Sequence, residues 1–242
     1  MSDEAPTTSR RRVLAFLRGS RTVPRTRWTA RQVWRPTPAS LAALLVGLWL
    51  FGTGEALLLL ADLGASPWTV LAQGLYVRTG FDIGAMTFAV SLVVLLLWIP
   101  LKQKPGPGTI LNIIVIPVAL QLTYDLVPHP ANMVARFALV IAGILTIGLG
   151  SGFYLTAGHG PGPRDGWMTG LHHRSGRPVA QIRLVIEVTV LVVGVALGGT
   201  FGIGTILFAL FIGQAVALGL SVVRHLAPPD PSNHPSPRSQ AQ

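Results

Sequence analysis

The tetrapeptide Gly108-Thr109-Ile110-Leu111 occurs again as Gly204-Thr205-Ile206-Leu207, 96 residues further along the chain. The same offset relates further glycine and proline positions: Gly52 and Gly148, Gly54 and Gly150, Gly64 and Gly160, Pro67 and Pro163, Gly74 and Gly170, Gly80 and Gly176. Since every pair has the same spacing, no insertion or deletion separates the two copies. Repetition at a fixed period indicates one structural unit that occurs twice in the fold.

The composition of the repeated unit is that of membrane helices. Hydrophobic residues make up 50% of the 242 residues and charged residues 12%, with a mean hydropathy of +0.55. A soluble domain has about one quarter charged residues, so most of this chain has no water to face. The apolar runs are continuous rather than alternating, which favours helices over a membrane β-barrel. At about 20 residues per crossing, we expect an all-α membrane protein with six transmembrane helices.

Glycine, proline and polar segments divide the chain into two membrane repeats and two tails. The predicted domains are a disordered basic tail over 1–37, a first three-helix repeat over 38–130, a second over 131–225 and a disordered C-terminal tail over 226–242. The predicted spans cover about 41–63, 83–101, 109–127, 133–157, 181–197 and 205–223. Three spans per copy is an odd number, so the second copy enters the membrane from the opposite side. The sequence therefore predicts inverted repeats, an arrangement common in transporters.

A short helix follows the first span of each copy, at 66–80 and at 163–176. In the first, Ser66 suits the N-cap, Pro67 the first helical position and Gly80 the C-terminal cap. A span over 41–63 already crosses a bilayer, so the helix that follows is expected to lie in the interface. The alternative is a re-entrant helix, which would need a break in the first span at 52–54.

The positive charge of the chain is explained by membrane topology. There are 19 Lys and Arg against 9 Asp and Glu, and nine of the arginines precede the first apolar run. Such a tail is attracted to anionic lipids, and we expect no nucleic acid partner. With the N-terminus inside, only Arg78 and Arg136 fall in outward-facing segments. Both termini are therefore predicted to be cytoplasmic.

Ionisable residues within the apolar segments are the candidate functional residues, because charge in hydrocarbon is costly and is kept for a partner or a pathway. Glu55 lies well inside the first span, and Arg183 and Glu187 are one helical turn apart on the fifth. Arg164 and Asp165 lie at the start of the second short helix, where free backbone N–H groups favour an anion. We expect these five residues to line one polar cavity that binds substrate; the alternative is a salt-bridge cluster that locks the repeats together.

The sequence gives no indication of catalysis. Cysteine is absent, and no Ser-His-Asp arrangement, nucleotide-binding loop or metal-binding helix signature occurs. Adjacent His172 and His173 point to different faces of a helix, so they do not suggest a metal site. We expect no enzyme activity, no cofactor and no metal.

Several glycine, proline and charged motifs occur together in this chain: Gly64-Ala-Ser-Pro67-Trp68, Gly108-Thr-Ile110, Gly160-Pro-Gly-Pro-Arg-Asp-Gly166, Arg183 with Glu187, and Gly198-Gly-Thr-Phe-Gly-Ile-Gly-Thr205. As a set they resemble the motifs of the YczE/YyaS/YitT family of bacterial integral membrane proteins. The resemblance covers about 41–220 and implies a multi-pass protein of the bacterial inner membrane. One departure is Gly213-Gln214, where the family pattern would have Gly-Pro. The family supplies no reaction or substrate.

Two functions remain open from the sequence. The first is a small-molecule transporter or permease, with Arg164 and Arg183 meeting a small anionic solute at the repeat interface. The second is a non-transporting membrane scaffold or assembly partner for another membrane-bound system.

Overall fold

Every regular element in the described part of the chain is an α-helix. The computed structural model describes residues 23–228, and no strand occurs within that range. The helices are α1 (Pro38–Leu60), α2 (Pro67–Thr79), α3 (Ile83–Leu96), α4 (Pro107–Leu126), α5 (Met133–Ala157), α6 (Pro163–Ser175), α7 (Val179–Ala196) and α8 (Ile203–Leu226). The predicted all-α fold is confirmed. Residues 1–22 and 229–242, which hold most of the two predicted disordered tails, lie outside the described range.

Within residues 23–228, five helices are long and apolar enough to cross a membrane, namely α1, α4, α5, α7 and α8. Helices α2 and α3 meet the same criterion only together, as a pair bent by 119°, which would give a sixth span. The second span was predicted to run to residue 101, but α3 ends at Leu96 after 14 residues, and turns follow. One contact explains the early end: the Trp98 indole folds inward, where its Nε1 donates to Pro163 O at 2.9 Å.

The short helices begin and end as their sequences predict. Ser66 is the N-cap of α2 and accepts from the Thr69 N–H, and Pro67 takes the first helical position. Gly80 ends α2 in the left-handed conformation, with φ of 75°, and Gly176 ends α6 in the same way, with φ of 68°. A residue with a Cβ would be strained at both positions, which accounts for glycine at the same place in both copies.

Helices α1 and α5 cross at the centre of the molecule in antiparallel directions. A Cβ added to Gly47 would lie 2.7 Å from Gly150 O, and one added to Gly54 would lie 2.7 Å from Gly143 O. Small residues at such crossings let the helix backbones approach closely where lipid gives no hydrophobic drive. Helix α4 packs on α1 through Gly52, and α8 packs on α5 through Gly148.

The first turns of α4 and α8 are each joined to the other half of the chain by a backbone hydrogen bond. Gly108 N–H donates to His159 O at 2.8 Å, and Gly204 N–H donates to Leu63 O at 2.7 Å. Both the donors and the acceptors of these two bonds are related by the 96-residue offset. At the periphery, α2 packs against α7, and α6 packs against α3.

Part of the predicted N-terminal tail is ordered. The Trp28 indole donates to Thr156 Oγ1 at 3.1 Å and stacks on Phe153, and the Ala30 N–H donates to Ala157 O at 3.0 Å. The sequence put the end of the tail at residue 37, whereas the structure attaches residues near Trp28 to the end of α5. An indole that can bury its ring and donate its N–H explains the attachment.

Candidate functional site

A cavity of about 200 Å³ lies where the starts of α2 and α6 face the C-terminal halves of α1 and α5. Helices α3, α4, α7 and α8 complete its wall. All five charged residues selected from the sequence line this cavity: Glu55, Arg164, Asp165, Arg183 and Glu187. Its other polar side chains are Ser66, Ser91, Asn112, Ser151 and Tyr154.

Glu55 is fixed at the start of α2. Its carboxylate is 2% exposed and accepts from Thr69 Oγ1 at 2.6 Å and from Ser66 Oγ at 2.8 Å. Both hydroxyls belong to the first turn of α2 or its cap, so the carboxylate faces the positive end of that helix. Because Glu55 is near the last turn of α1, the chain must fold back after α1 to bring Ser66 to the same level. Helix α2 consequently starts inside the protein, with Pro67 and Trp68 buried.

Arg164 lies between the starts of the two short helices. It is the second residue of α6, and its Nη1 is 3.9 Å from Glu55 Oε1. Its Cζ lies 5.1 Å from the centre of the Trp68 ring, a cation–π contact to the start of α2. Within residues 23–228 its guanidinium makes no hydrogen bond to the protein, and it lines the cavity. A guanidinium carries five N–H donors, so this group has unused capacity directed at the cavity.

The other three charged residues are partnered. Tyr154 OH on α5 donates to Asp165 Oδ2 at 2.8 Å. Arg183 Nε on α7 donates to Glu187 Oε1 at 2.9 Å, the ion pair predicted from their four-residue spacing. The Arg183 side chain is 53% exposed and that of Glu187 is 29% exposed. The cavity is therefore enclosed near Glu55 and open near Arg183.

Sequence reasoning missed most of the uncharged partners. Ser66 was identified only as a helix cap, and Thr69, Tyr154 and Asn112 were not identified as site residues. A signal existed for Ser66 and Thr69, because a carboxylate inside an apolar run needs hydrogen-bond donors nearby. No comparable signal marks Tyr154, which lies in α5 among residues of a packed helix.

The chemistry available in this cavity is recognition of charge. The guanidinium of Arg164 is suited to a carboxylate or phosphate group, which it can bind through two parallel hydrogen bonds. No group of three or more His, Cys, Asp or Glu side chains within residues 23–228 is arranged to hold a metal ion.

Apolar helices around an internal polar cavity define a multi-pass helical membrane protein. The chain belongs to a family of unknown function, DUF6198, whose model matches residues 39–220. It is 41% identical over 206 residues to an uncharacterised protein of Haemophilus influenzae, covering 85% of this chain and 94% of that one. It is 30% identical over 183 residues to the uncharacterised membrane protein YczE of Bacillus subtilis, covering 75% and 82% of the two chains.

A second Bacillus subtilis protein, the uncharacterised YyaS, is 24% identical over 185 residues, covering 74% of this chain and 92% of its own. The resemblance to the YczE/YyaS family, drawn from the glycine and proline motifs, is thus confirmed. No solved structure matches the chain.

Proposed function

We propose that the protein is a small-molecule carrier of the bacterial inner membrane and that its solute binds in the cavity through an anionic group held by Arg164. The observation that carries this proposal is the Arg164 guanidinium, which faces a polar cavity inside an apolar bundle without a hydrogen bond to residues 23–228. Keeping a cation at such a place is costly unless it serves a partner or a ligand. Glu55 balances its charge at 3.9 Å but leaves its donors available.

The carrier would be built from two inverted repeats, residues 38–130 and 131–225. Three features support this arrangement: the constant 96-residue offset, the antiparallel crossing of α1 and α5, and the matched bonds from Gly108 to His159 O and from Gly204 to Leu63 O. The cavity would then lie at the junction of the repeats, where carriers of this kind bind their substrates. Positive charge near the ends of the spans supports cytoplasmic termini, with the basic tail on anionic lipid.

In this proposal α2 and α6 are re-entrant helices rather than interfacial ones. Their starts meet in the cavity, where Arg164 of α6 contacts both Glu55 and Trp68. The Trp68 and Trp167 rings pack edge to face, 6.4 Å apart, and join the two short helices. Broken helices whose positive ends point at a substrate site are a recurrent feature of carriers.

The proposal is tested by binding of small anions to the purified protein. Phosphate, sulfate and a panel of small carboxylates and amino acids are screened for an increase in the melting temperature in detergent. At least one probe is expected to stabilise the natural protein and to lose its effect in Arg164→Gln. Arg136→Gln is the matched control. Arg136 Nη1 lies 3.3 Å from Asp62 Oδ2, and this ion pair is not part of the cavity.

Two results would contradict the proposal. One is that no anion of the panel stabilises the natural protein, and the other is that Arg164→Gln responds as strongly as Arg136→Gln. Flux of the stabilising anion is then measured in proteoliposomes. Binding without flux, together with stable co-purification of another membrane protein, would favour the alternative of a non-transporting scaffold.

A further inference from the structure

Two helix pairs related by the 96-residue offset differ in how closely they pack. In the first half, α3 lies against α4: a Cβ on Gly84 would be 2.9 Å from Pro117 O, and Gly84 N–H donates to Gln121 Oε1 at 2.8 Å. In the second half, the counterpart of Pro117 is Gly213 on α8. A Cβ on Gly213 would have no atom within 4 Å, so α7 does not cover it.

Residue exposure also shows that the first helix pair is more closely packed than the second. On α3, Ile83 and Thr87 are each 1% exposed. Their counterparts on α7 are Val179, which is 41% exposed, and Arg183, whose side chain is 53% exposed. The seam between α3 and α4 is closed, whereas a crevice separates α7 from α8.

Chemistry indicates that water rather than lipid fills this crevice. Arg183 and Glu187 of α7 line the cavity, and an ion pair with side chains 53% and 29% exposed is strongly disfavoured against hydrocarbon. Helix α8 also borders the cavity, since Phe208 and Val216 line it, so the cavity has both α7 and α8 in its wall.

The positively charged segment before α7 indicates which end of the crevice opens to water. Helix α7 begins directly after the basic segment that contains Arg174 and Arg177. Basic connections of this kind remain on the cytoplasmic side of membrane proteins. We infer that the crevice between α7 and α8 is the cytoplasmic entrance to the cavity, and that the closed seam between α3 and α4 is the matching gate towards the opposite side.

The cytoplasmic entrance can be tested without the proposed carrier function. The assignment of a second gate between α3 and α4, which opens when the entrance closes, rests on that function. In an inverted-repeat carrier, each half takes the conformation of the other, so α7 closes on α8 when α3 leaves α4. Small residues would allow α7 to close on α8. Ala180 and Gly213 occupy the positions that match Gly84 and Pro117, where α3 and α4 are in close contact. Ala217 replaces Gln121, so the hydrogen bond that closes the first seam has no counterpart in the second. This bond favours the conformation that is open to the cytoplasm.

The natural chain contains no cysteine, so single cysteines report accessibility directly. Ala209→Cys places a thiol on the exposed crevice side of α8, and Ile113→Cys places one at the matched, buried position of α4. Leu210→Cys is the control on the outer surface of α8, where Leu210 is 60% exposed. A membrane-impermeant maleimide is applied to inside-out and to right-side-out vesicles.

We expect Ala209→Cys to react from the cytoplasmic side at least tenfold faster than Leu210→Cys, and Ile113→Cys to be protected from both sides. Adding Gln121→Leu removes the acceptor at the closed seam and is expected to expose Ile113→Cys to reagent from the outside.

Equal, slow labelling of Ala209→Cys and Leu210→Cys would overturn the inference, because the crevice would then be filled by lipid. Protection of Ile113→Cys that persists with Gln121→Leu would overturn the assignment of the second gate. Both readouts are independent of solute binding. The expected labelling with no anion stabilisation would therefore reject the proposed solute chemistry and leave the entrance in place.

Discussion

Replacing Glu55 by Gln removes the charge that faces Arg164 and leaves the size of the side chain almost unchanged. At 3.9 Å, two unit charges attract by ~4 kcal/mol at an effective dielectric constant of 20. The Arg164 side chain is 21% exposed to the cavity, so water screens part of this attraction, and we expect about half of it to be measurable. The glutamine amide of the variant would still accept from Ser66 and Thr69, at a further cost of about 1 kcal/mol for weaker bonds.

A double-mutant cycle isolates the interaction between the two charges. Glu55→Gln, Arg164→Gln and the double variant are unfolded reversibly by SDS in mixed micelles, with tryptophan fluorescence as the signal. The expected coupling free energy is about 2 kcal/mol, within the usual range for residues in contact. The same cycle on the exposed pair of Asp62 and Arg136 is the control and should give less than about 1 kcal/mol. A Glu55–Arg164 coupling no larger than the control would refute the reasoning, because the cavity would then screen charge like bulk water.

Two further substitutions test the surroundings of the cavity. Tyr154→Phe removes the 2.8 Å hydrogen bond to Asp165, so we expect a loss of about 1 kcal/mol in the SDS unfolding assay; an unchanged free energy of unfolding would show that the bond contributes nothing. His159→Leu introduces the residue type found at the matched position of the first half and breaks the 2.9 Å contacts of the His159 ring with Ser40 Oγ and Val33 O. Its free energy of unfolding should fall by about 1–3 kcal/mol, and a variant as stable as the natural protein would contradict the structural role of His159.

Glycine spacing and isolated charges made much of this molecule predictable. Glycines recur where backbones must approach, and Gly52 and Gly148 indeed lie against α4 and α8. A carboxylate such as Glu55 within an apolar run needs a partner, and this requirement is local enough to read from one sequence. The same reasoning selected Arg183 and Glu187, whose spacing on one helix determines that they can meet.

The contact between the start of α2 and Glu55 could not be predicted in this way. From the length of the first span, Ser66 was expected near the far surface of the membrane, with the chain still moving outward. In the structure the chain reverses through Asp62 and Gly64, which have φ of 53° and 96°, and Ser66 returns to the level of Glu55. At this reversal Gly64 passes close to Gly202 and Thr205, about 140 residues away, since an added Cβ would lie 2.6 Å from Gly202 N and 2.5 Å from Thr205 Oγ1. A pattern read within one segment contains no information about such a distant neighbour.

In both copies a carboxylate lies near the start of the short helix, but it comes from a different helix in each copy. In the first copy, the long helix supplies a carboxylate, Glu55, and the short helix supplies the hydroxyl of Thr69, which donates to it at 2.6 Å. In the second copy, the matched positions are Ser151 and Asp165, so the carboxylate belongs to the short helix itself. Each positive helix end therefore has one carboxylate near it, a favourable pairing in both halves.

Arg164 is not needed to pair a carboxylate with the start of either short helix. Its counterpart in the first copy is Trp68, and the start of α2 is complete without a cation. A guanidinium at the start of α6 lies beside a positive helix end, which opposes it, and it makes no hydrogen bond within the described chain that would offset this cost. The nearby Glu55 reduces the cost but was already bound by Ser66 and Thr69. A cation kept against two unfavourable terms is best explained by a negative group that enters the cavity from outside. Arg164→Gln should then abolish the stabilisation that anions give.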